Sequence, residues 1–141
     1  MDESLRGTYI LLLELPEPNT ILVGKLGEIK FPKGYYAYVG SALNGLNARI
    51  SRHLRTEKRL FWHIDYLTAY AIVIEIFYNP TQKKDECKLA HLLASEFRVI
   101  YNFGASDCGC QSHLFVIDDR SKFNRMMKEA KMITANNSIL S

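Results

Sequence analysis

The chain has 141 residues, of which 48% are hydrophobic and 23% charged, and its formal net charge is +3. This size and composition favour a single globular domain over a disordered or multidomain chain. No run of about 18 apolar residues occurs, so no membrane span is expected. Three cysteines make a poor disulfide framework, and the N-terminus lacks a signal-peptide pattern, so we expect a cytoplasmic protein.

Apolar periodicity predicts an α+β fold, a small antiparallel sheet flanked by helices. The predicted strands are residues 7–15, 20–25, 28–31, 35–39, 69–78 and 113–117. The predicted helices are residues 44–55, 60–67, 82–97 and 120–132. Tight turns among the first strands indicate a meander in which the second strand pairs with the first. The long β-branched run at residues 69–78 predicts a central strand. We expect one domain over residues 1–141, with a core at about 7–132 and a flexible tail at 133–141.

Residues 34–55 join an aromatic strand to a basic amphipathic helix that Asn44 is placed to cap. Arg49 and His53 lie one turn apart at the edge of its apolar stripe, where they can reach a cleft. Further cations follow that could meet phosphates of a nucleic acid, and they are Arg52, Arg55, Lys58 and Arg59. The alternative interpretation of this cluster is a solvated helix face.

Two tyrosines lie on predicted strands beside glycines, Tyr9 in Gly7-Thr8-Tyr9 and Tyr38 in Tyr38-Val39-Gly40. A tyrosine hydroxyl can pass a proton when nearby cations lower its pKa from about 10. Gly40 lets the backbone turn sharply and a substrate approach closely. The alternative is that these rings pack at the edge of the core with their hydroxyls in water, as we expect for most of the eight tyrosines.

Together, GTY at 7–9, YVG at 38–40, Arg49 and His53 resemble the GIY-YIG nuclease superfamily. Over about residues 7–118, the segments FPKGYYAYVGSA, ARISRHLR, FWHIDYL and SDCGCQSHLF resemble the prokaryotic DUF123 family, which is classed as GIY-YIG-like. The resemblance implies a GIY-YIG-like fold and a divalent-metal-dependent endonuclease acting on DNA. Structured or damaged DNA in repair or recombination is the implied substrate.

The resemblance also implies roles for individual residues. Tyr38 and Tyr9 would lie near the scissile phosphate, one of them as general base, and Arg49 would stabilise that phosphate. His53 matches a histidine found one turn later in some restriction-enzyme members. Glu86, on the third predicted helix, would hold one magnesium or manganese ion, which would polarise the phosphate.

Asn102 is the candidate for a supporting asparagine that follows the metal-binding helix in the superfamily. This chain departs from the family pattern in carrying Thr8 within the first half-motif. About one extra hairpin also separates Tyr9 from Tyr38, whereas the two half-motifs normally lie on adjacent strands.

A second cluster of ligand-type residues is formed by Cys108, Cys110 and His113, which could bind zinc if a fourth ligand such as His63 or Asp65 joined them. A CxC without a second pair is a weak signal, so we expect a tight loop that packs beside the cleft rather than a zinc site.

The remaining histidines and the third cysteine fit packing roles. Cys87 and His91 are one turn apart on a predicted helix that also buries an apolar stripe, so we interpret them as packing residues. His63 lies beside Trp62 at the edge of an apolar helix and is interpreted as a structural histidine.

Three functions follow for comparison. The first is a DNA endonuclease in which Gly40 and the cations of residues 49–59 contact the backbone of the DNA. A partner protein or a second copy of the chain would select the target. The second is a non-catalytic nucleic-acid-binding or adaptor module. The third is a small-molecule site at the Cys108–Cys110 loop.

Overall fold

The computed structural model describes residues 6–42, 45–55, 60, 62–80, 86–104 and 110–135. The strands are β1 (Gly7–Leu15), β2 (Asn19–Leu22), β3 (Glu28–Phe31), β4 (Gly34–Ala42), β5 (Ile72–Pro80), β6 (Arg98–Val99), β7 (Leu114–Ile117) and β8 (Ile133–Thr134). The helices are α1 (Leu46–Leu54), α2 (His63–Thr68), α3 (Glu86–Ala94) and α4 (Arg120–Glu129), with a 3-10 turn at Gly24–Leu26. In the described parts of the chain, no helix combines the length and apolar character needed to cross a membrane.

The main sheet has six strands in the order β6-β7-β4-β1-β5-β8, and every neighbouring pair is antiparallel. Helices α1 and α2 cover one face together with the separate β2–β3 ribbon, and α3 and α4 cover the other. The predicted α+β class is confirmed.

β1 lies at the centre of the molecule and is buried on both faces. Tyr9, Leu11 and Leu13 point toward the α1 and α2 layer, whereas Ile10 and Leu12 point toward α3 and α4. Burial on both faces removes the usual alternation of apolar and polar residues, which explains why this strand reads as an almost continuous apolar run.

The structure differs from the predicted meander, because β2 pairs only with β3, in a separate two-stranded sheet, within the described residues. β1 pairs instead with β4 over nine residue pairs, against four pairs between β2 and β3. The ribbon packs back onto the α1 and α2 layer through Ile21 and Phe31. The extra hairpin is therefore left out of the main sheet, and the two half-motif strands are neighbours.

Several element boundaries also differ from the prediction. Helix α2 starts at His63 rather than residue 60, and β5 starts at Ile72 rather than residue 69. The strand predicted to be central is β5, but it lies between β1 and the short β8, and the centre of the sheet is formed by β1 and β4. Residues 133–134, assigned to the tail, form β8 against Phe77 and Tyr78. Asn44 lies outside the described residues, and Gly45, with φ of 129°, occupies the cap position of α1.

The β1–β4 register places Tyr9 directly opposite Gly40. A Cβ atom on Gly40 would lie 2.3 Å from Cζ of Tyr9, because the tyrosine ring lies across the glycine backbone. Real Cβ contacts are not this short, so Gly40 is required by the position of the Tyr9 ring.

Gly40→Ala is therefore expected to destabilise the protein by about 1–3 kcal/mol, the usual cost of overpacking a core. Urea unfolding of the wild type and the variant measures the change. The control is the same substitution in a Tyr9→Leu background, where the shorter side chain leaves room for the methyl group. An equal cost in both backgrounds would show that the Tyr9 ring does not set the requirement for glycine.

Candidate active site

Tyr9, Tyr38 and His53 form an aromatic cluster between β1, β4 and α1. Tyr38 is two residues before Gly40 on the same face of β4, and its ring centroid lies 6.4 Å from that of Tyr9 and 6.1 Å from that of His53. The Tyr9 hydroxyl and Nε2 of His53 are 2.6 Å apart, a hydrogen bond whose donor depends on the imidazole tautomer. Tyr9 and His53 are only 1% and 2% exposed and Tyr38 is 8% exposed, so the cluster is closed to solvent in this conformation.

Burial controls the protonation of both tyrosines. It raises the pKa of the Tyr9 hydroxyl, although the charge of the Arg49 guanidinium opposes part of that rise. Burial also raises the pKa of Tyr38 well above 10.0, and the neighbouring Tyr9 and Glu86 add to the rise. Both phenols are therefore protonated at neutral pH, and neither is a phenolate base in this conformation.

Arg49 lies one helical turn before His53, and its guanidinium is fixed on two sides. Its Nη1 donates to the backbone carbonyl of Ser41 at 3.0 Å, and the guanidinium lies 4.3 Å from the centroid of the Trp62 ring. A stacked, hydrogen-bonded guanidinium has lost much of its rotational freedom, so it can bind an anion at little further entropic cost.

Arg52 also contacts the Trp62 indole. Its guanidinium lies 4.1 Å from the Trp62 ring centroid and makes a bidentate ion pair with the buried Asp65, at 2.8 and 2.9 Å. The Asp65 carboxylate also accepts the Trp62 backbone N–H at 2.9 Å, at the start of α2. Because the Asp65 carboxylate binds both the Arg52 guanidinium and the Trp62 backbone N–H, it joins α1 to α2 and is not placed as a metal ligand.

A groove of about 270 Å³ runs along the face of α1 that carries Arg49, Arg52 and Arg55, and these arginines line it together with small residues. Because Arg52 is engaged by Asp65, Arg49 and Arg55 carry the positive charge available to a ligand in this groove. Lys58 and Arg59, the other predicted cations, lie outside the described residues.

Glu86, the first described residue of α3, is close enough to affect both tyrosines, since its charge raises the pKa of Tyr9 and of Tyr38. Its Oε2 lies 3.8 Å from Nδ1 of His113, within ion-pair distance but too far for a hydrogen bond. The carboxylate is 13% exposed and is therefore nearly enclosed. Tyr9, Tyr38, Arg49 and His53 thus lie together at one end of the central strands β1 and β4, and Glu86 is near enough for its charge to act on both phenols.

The second predicted cluster is changed by the structure. Cys110 and His113 are joined by Cys87 of α3, and the three potential ligand atoms lie within 4.8 Å of one another. Cys108 lies outside the described residues. His63, considered as a fourth ligand, instead accepts the Gly104 N–H at its Nδ1 at 2.8 Å, and burial lowers its pKa, which fits a structural histidine.

Asn102 is not brought to the tyrosine cluster within the described parts of the chain. It occupies an exposed turn with φ of 65°, a conformation that asparagine tolerates better than most residues, and its N–H donates to Gln111. The next residue, Phe103, is fully buried, and its ring lies 6.3 Å from that of Tyr38.

A family model described as a domain of unknown function, DUF123, matches residues 8–135. The chain belongs to the DUF123 family. No curated protein and no solved structure matches the chain.

Sequence reasoning did not single out three contributors to this DUF123 site. Trp62 could have been noticed as the one tryptophan of the chain, but nothing local shows that two arginines stack on it. Phe103 lies in a segment that is otherwise small and polar, so its burial was not predicted. Cys87 was interpreted as a packing residue, because its nearness to Cys110 depends on the position of α3.

The stability of this DUF123 domain should fall at alkaline pH. Tyr9 and Tyr38 both have a folded-state pKa above the unfolded value of 10.0. Their contribution to the free energy of unfolding is therefore complete below pH 10, and it is lost as the pH rises toward the folded-state pKa, because only the unfolded chain then releases the protons. Each tyrosine contributes a slope of at most about 1.4 kcal/mol per pH unit. Urea unfolding from about pH 9 to about pH 11 should show a shallower decline in Tyr38→Phe than in the wild type.

Tyr101→Phe, which changes an exposed ring, is the matched control and should keep the slope of the wild type. A Tyr38→Phe slope equal to that of the wild type would contradict the burial of a protonated phenol at this position.

Proposed function

We propose that this chain is a divalent-metal-dependent endonuclease that hydrolyses phosphodiester bonds of DNA through a GIY-YIG-type site. The observation that supports it is the meeting of Tyr9, Tyr38, Arg49 and Glu86, which come from β1, β4, α1 and α3. Two phenols, one cation and one carboxylate are the set that the GIY-YIG resemblance requires.

Arg49 and Glu86 would handle the charge of the phosphate. Arg49 is already oriented by Ser41 and Trp62, so its guanidinium would bind the scissile phosphate and stabilise the negative charge that develops in the transition state. Glu86 would hold one magnesium or manganese ion, because a carboxylate is the ligand type that these ions prefer. The ion would polarise the phosphate and stabilise the leaving oxygen.

His53 would be the proton acceptor in this mechanism. Burial keeps the Tyr9 phenol protonated, so a phenolate cannot serve as the resting base at neutral pH. His53 Nε2 lies 2.6 Å from the Tyr9 hydroxyl and can take its proton while that hydroxyl takes one from the attacking water. Tyr38 would orient the water or the phosphate beside it.

The groove lined by Arg49, Arg52 and Arg55 would bind the DNA backbone next to this site. Phosphate contacts of this kind position the DNA without reading its sequence. The odd cysteine count is a poor basis for a disulfide framework and supports a reducing compartment such as the cytoplasm for this activity.

The second candidate function is a non-catalytic nucleic-acid-binding or adaptor module. The burial of Tyr9 and His53 favours it, because water and phosphate reach these groups only if the surrounding side chains move. The basic groove needs no such movement to bind a backbone phosphate.

The catalytic proposal is tested by the nicking of branched and nicked DNA duplexes with magnesium or manganese. Arg49→Ala and Glu86→Gln should each lower the rate by about 100-fold or more, the usual loss when a charge-stabilising group is removed, and Tyr38→Phe should also lower it, because the hydroxyl that orients the water or the phosphate is lost. Tyr35→Phe is the matched control, since Tyr35 lies on the same strand but packs on the other face. Cleavage that survives all three changes would show that the site is elsewhere.

The binding groove is tested separately by fluorescence anisotropy with a labelled duplex and no divalent metal. Arg55→Ala should weaken binding on all sequences alike and reduce the slope of log K against log salt by about 1, because one phosphate contact is lost. Salt-sensitive binding with no cleavage under any divalent metal would favour the adaptor function. An unchanged slope in Arg55→Ala would exclude this groove as the DNA-binding surface.

A further inference from the structure

Cys87, Cys110 and His113 come together from different parts of the chain beside the tyrosine cluster. Cys87 is the second described residue of α3, and Cys110 and His113 precede β7. One potential ligand atom of each lies within 4.8 Å of the other two. Two thiols and an imidazole in one place are rarely needed for packing alone.

These ligand types select a soft or borderline metal ion. Thiolate sulfur and imidazole nitrogen suit zinc, whereas magnesium and manganese prefer oxygen ligands. In a tetrahedral zinc site with Zn–S of about 2.3 Å and Zn–N of about 2.0 Å, the ligand atoms are about 3.6–3.8 Å apart. The distances between the three potential ligand atoms in this structure exceed the distances in such a zinc site by about 1 Å at most, and rotation of the side chains can close this difference.

The backbone that carries His113 is already held in place. Its carbonyl accepts the Val39 N–H at 2.9 Å, which ties it to β4, and its own N–H donates to the Phe103 carbonyl at 2.8 Å. The imidazole is almost completely buried, and the neighbouring Ser112 hydroxyl bonds to the same segment. A fixed ligand lowers the entropic cost of binding a metal.

We propose that Cys87, Cys110 and His113 bind a zinc ion, with the fourth position taken by a further ligand atom or water. The ion joins α3 to the segment before β7, two elements that also meet through the Glu86–His113 ion pair and near the apolar cluster of Leu89, Ala90 and Phe115. Since Glu86 precedes Cys87 directly, the zinc also fixes the backbone from which the Glu86 side chain projects. This zinc site does not depend on the proposed nuclease activity.

The first experiment measures the metal in the wild-type chain. The protein is expressed with zinc in the medium, purified without chelators and analysed by mass spectrometry of its metal content. About one zinc per chain is expected, together with X-ray absorption showing two or more sulfur ligands at about 2.3 Å and at least one imidazole. Cobalt substitution should give a thiolate-to-cobalt charge-transfer band and the intense visible bands of a tetrahedral ion.

Variants then identify the ligands. Cys87→Ser and His113→Asn should each weaken zinc binding by more than about 100-fold, beyond the 10–100-fold that loss of a supporting residue costs. His91→Asn is the matched control: it removes an exposed imidazole one turn further along α3 and should leave zinc affinity unchanged. Circular dichroism in the presence of zinc checks that each variant is folded.

Three results would overturn the proposal. One is a wild-type protein that binds zinc with oxygen and nitrogen ligands only. Another is an affinity of Cys87→Ser equal to that of the wild type, and the third is a Cys87–Cys110 disulfide in protein kept under reducing conditions. The wild-type measurements use no nucleic acid and no variant, so they stand even if a variant does not fold or if the chain has no nuclease activity.

Discussion

The pairing of β1 with β4 is the constraint on which the rest of this structure depends. Nine residue pairs hold the two strands in a register that sets Tyr9 against Gly40, and the missing side chain at Gly40 leaves the space that the Tyr9 ring fills. The same register brings Tyr38 beside Tyr9. Because α1 follows β4 after a short connection, Arg49 and His53 lie at the same end of these two central strands.

A polar network around the buried Asp65 links α1 to α2 beside this site. Asp65 accepts both arms of the Arg52 guanidinium and the backbone N–H of Trp62, and the guanidiniums of Arg52 and Arg49 both contact the Trp62 indole. Such a network is favourable only while its members are satisfied, since a buried carboxylate that loses its partner is strongly destabilising. The network therefore determines the position of Arg49, which a flexible surface arginine would not hold.

Helix α3 carries two types of potential metal ligand at consecutive residues, a carboxylate and a thiol. The carboxylate of Glu86 acts on the tyrosines, whereas the thiol of Cys87 lies by Cys110 and His113. Oxygen ligands suit magnesium and manganese, and sulfur with imidazole suits zinc, so two adjacent sites can remain selective for different ions. Under the two proposals, the zinc stabilises the helix end from which the catalytic carboxylate projects.

Much of this arrangement was accessible from the sequence. Apolar periodicity is a local property, so it identified the four helices and the six longer strands to within a few residues, and the α+β class with them. The two-residue strands β6 and β8 were not predicted, because so short a segment has no periodicity of its own. The strand glycines and the i,i+4 spacing of Arg49 and His53 are also local, and together with the family resemblance they placed these residues and Tyr38 in one candidate site.

Which strands pair, and which distant side chains meet, was decided only by the tertiary structure. The turns predicted that β2 would pair with β1, but the backbone groups of the nine-residue β1 pair with the equally long β4 on one side and with β5 on the other, and the short ribbon is excluded. Cys87 reaches Cys110 and His113 because α3 packs across the sheet on its apolar stripe, and no local pattern encodes that distance. The sequence by itself therefore determined the elements and the chemistry they carry, whereas long-range packing of apolar faces decided which of those groups share a site.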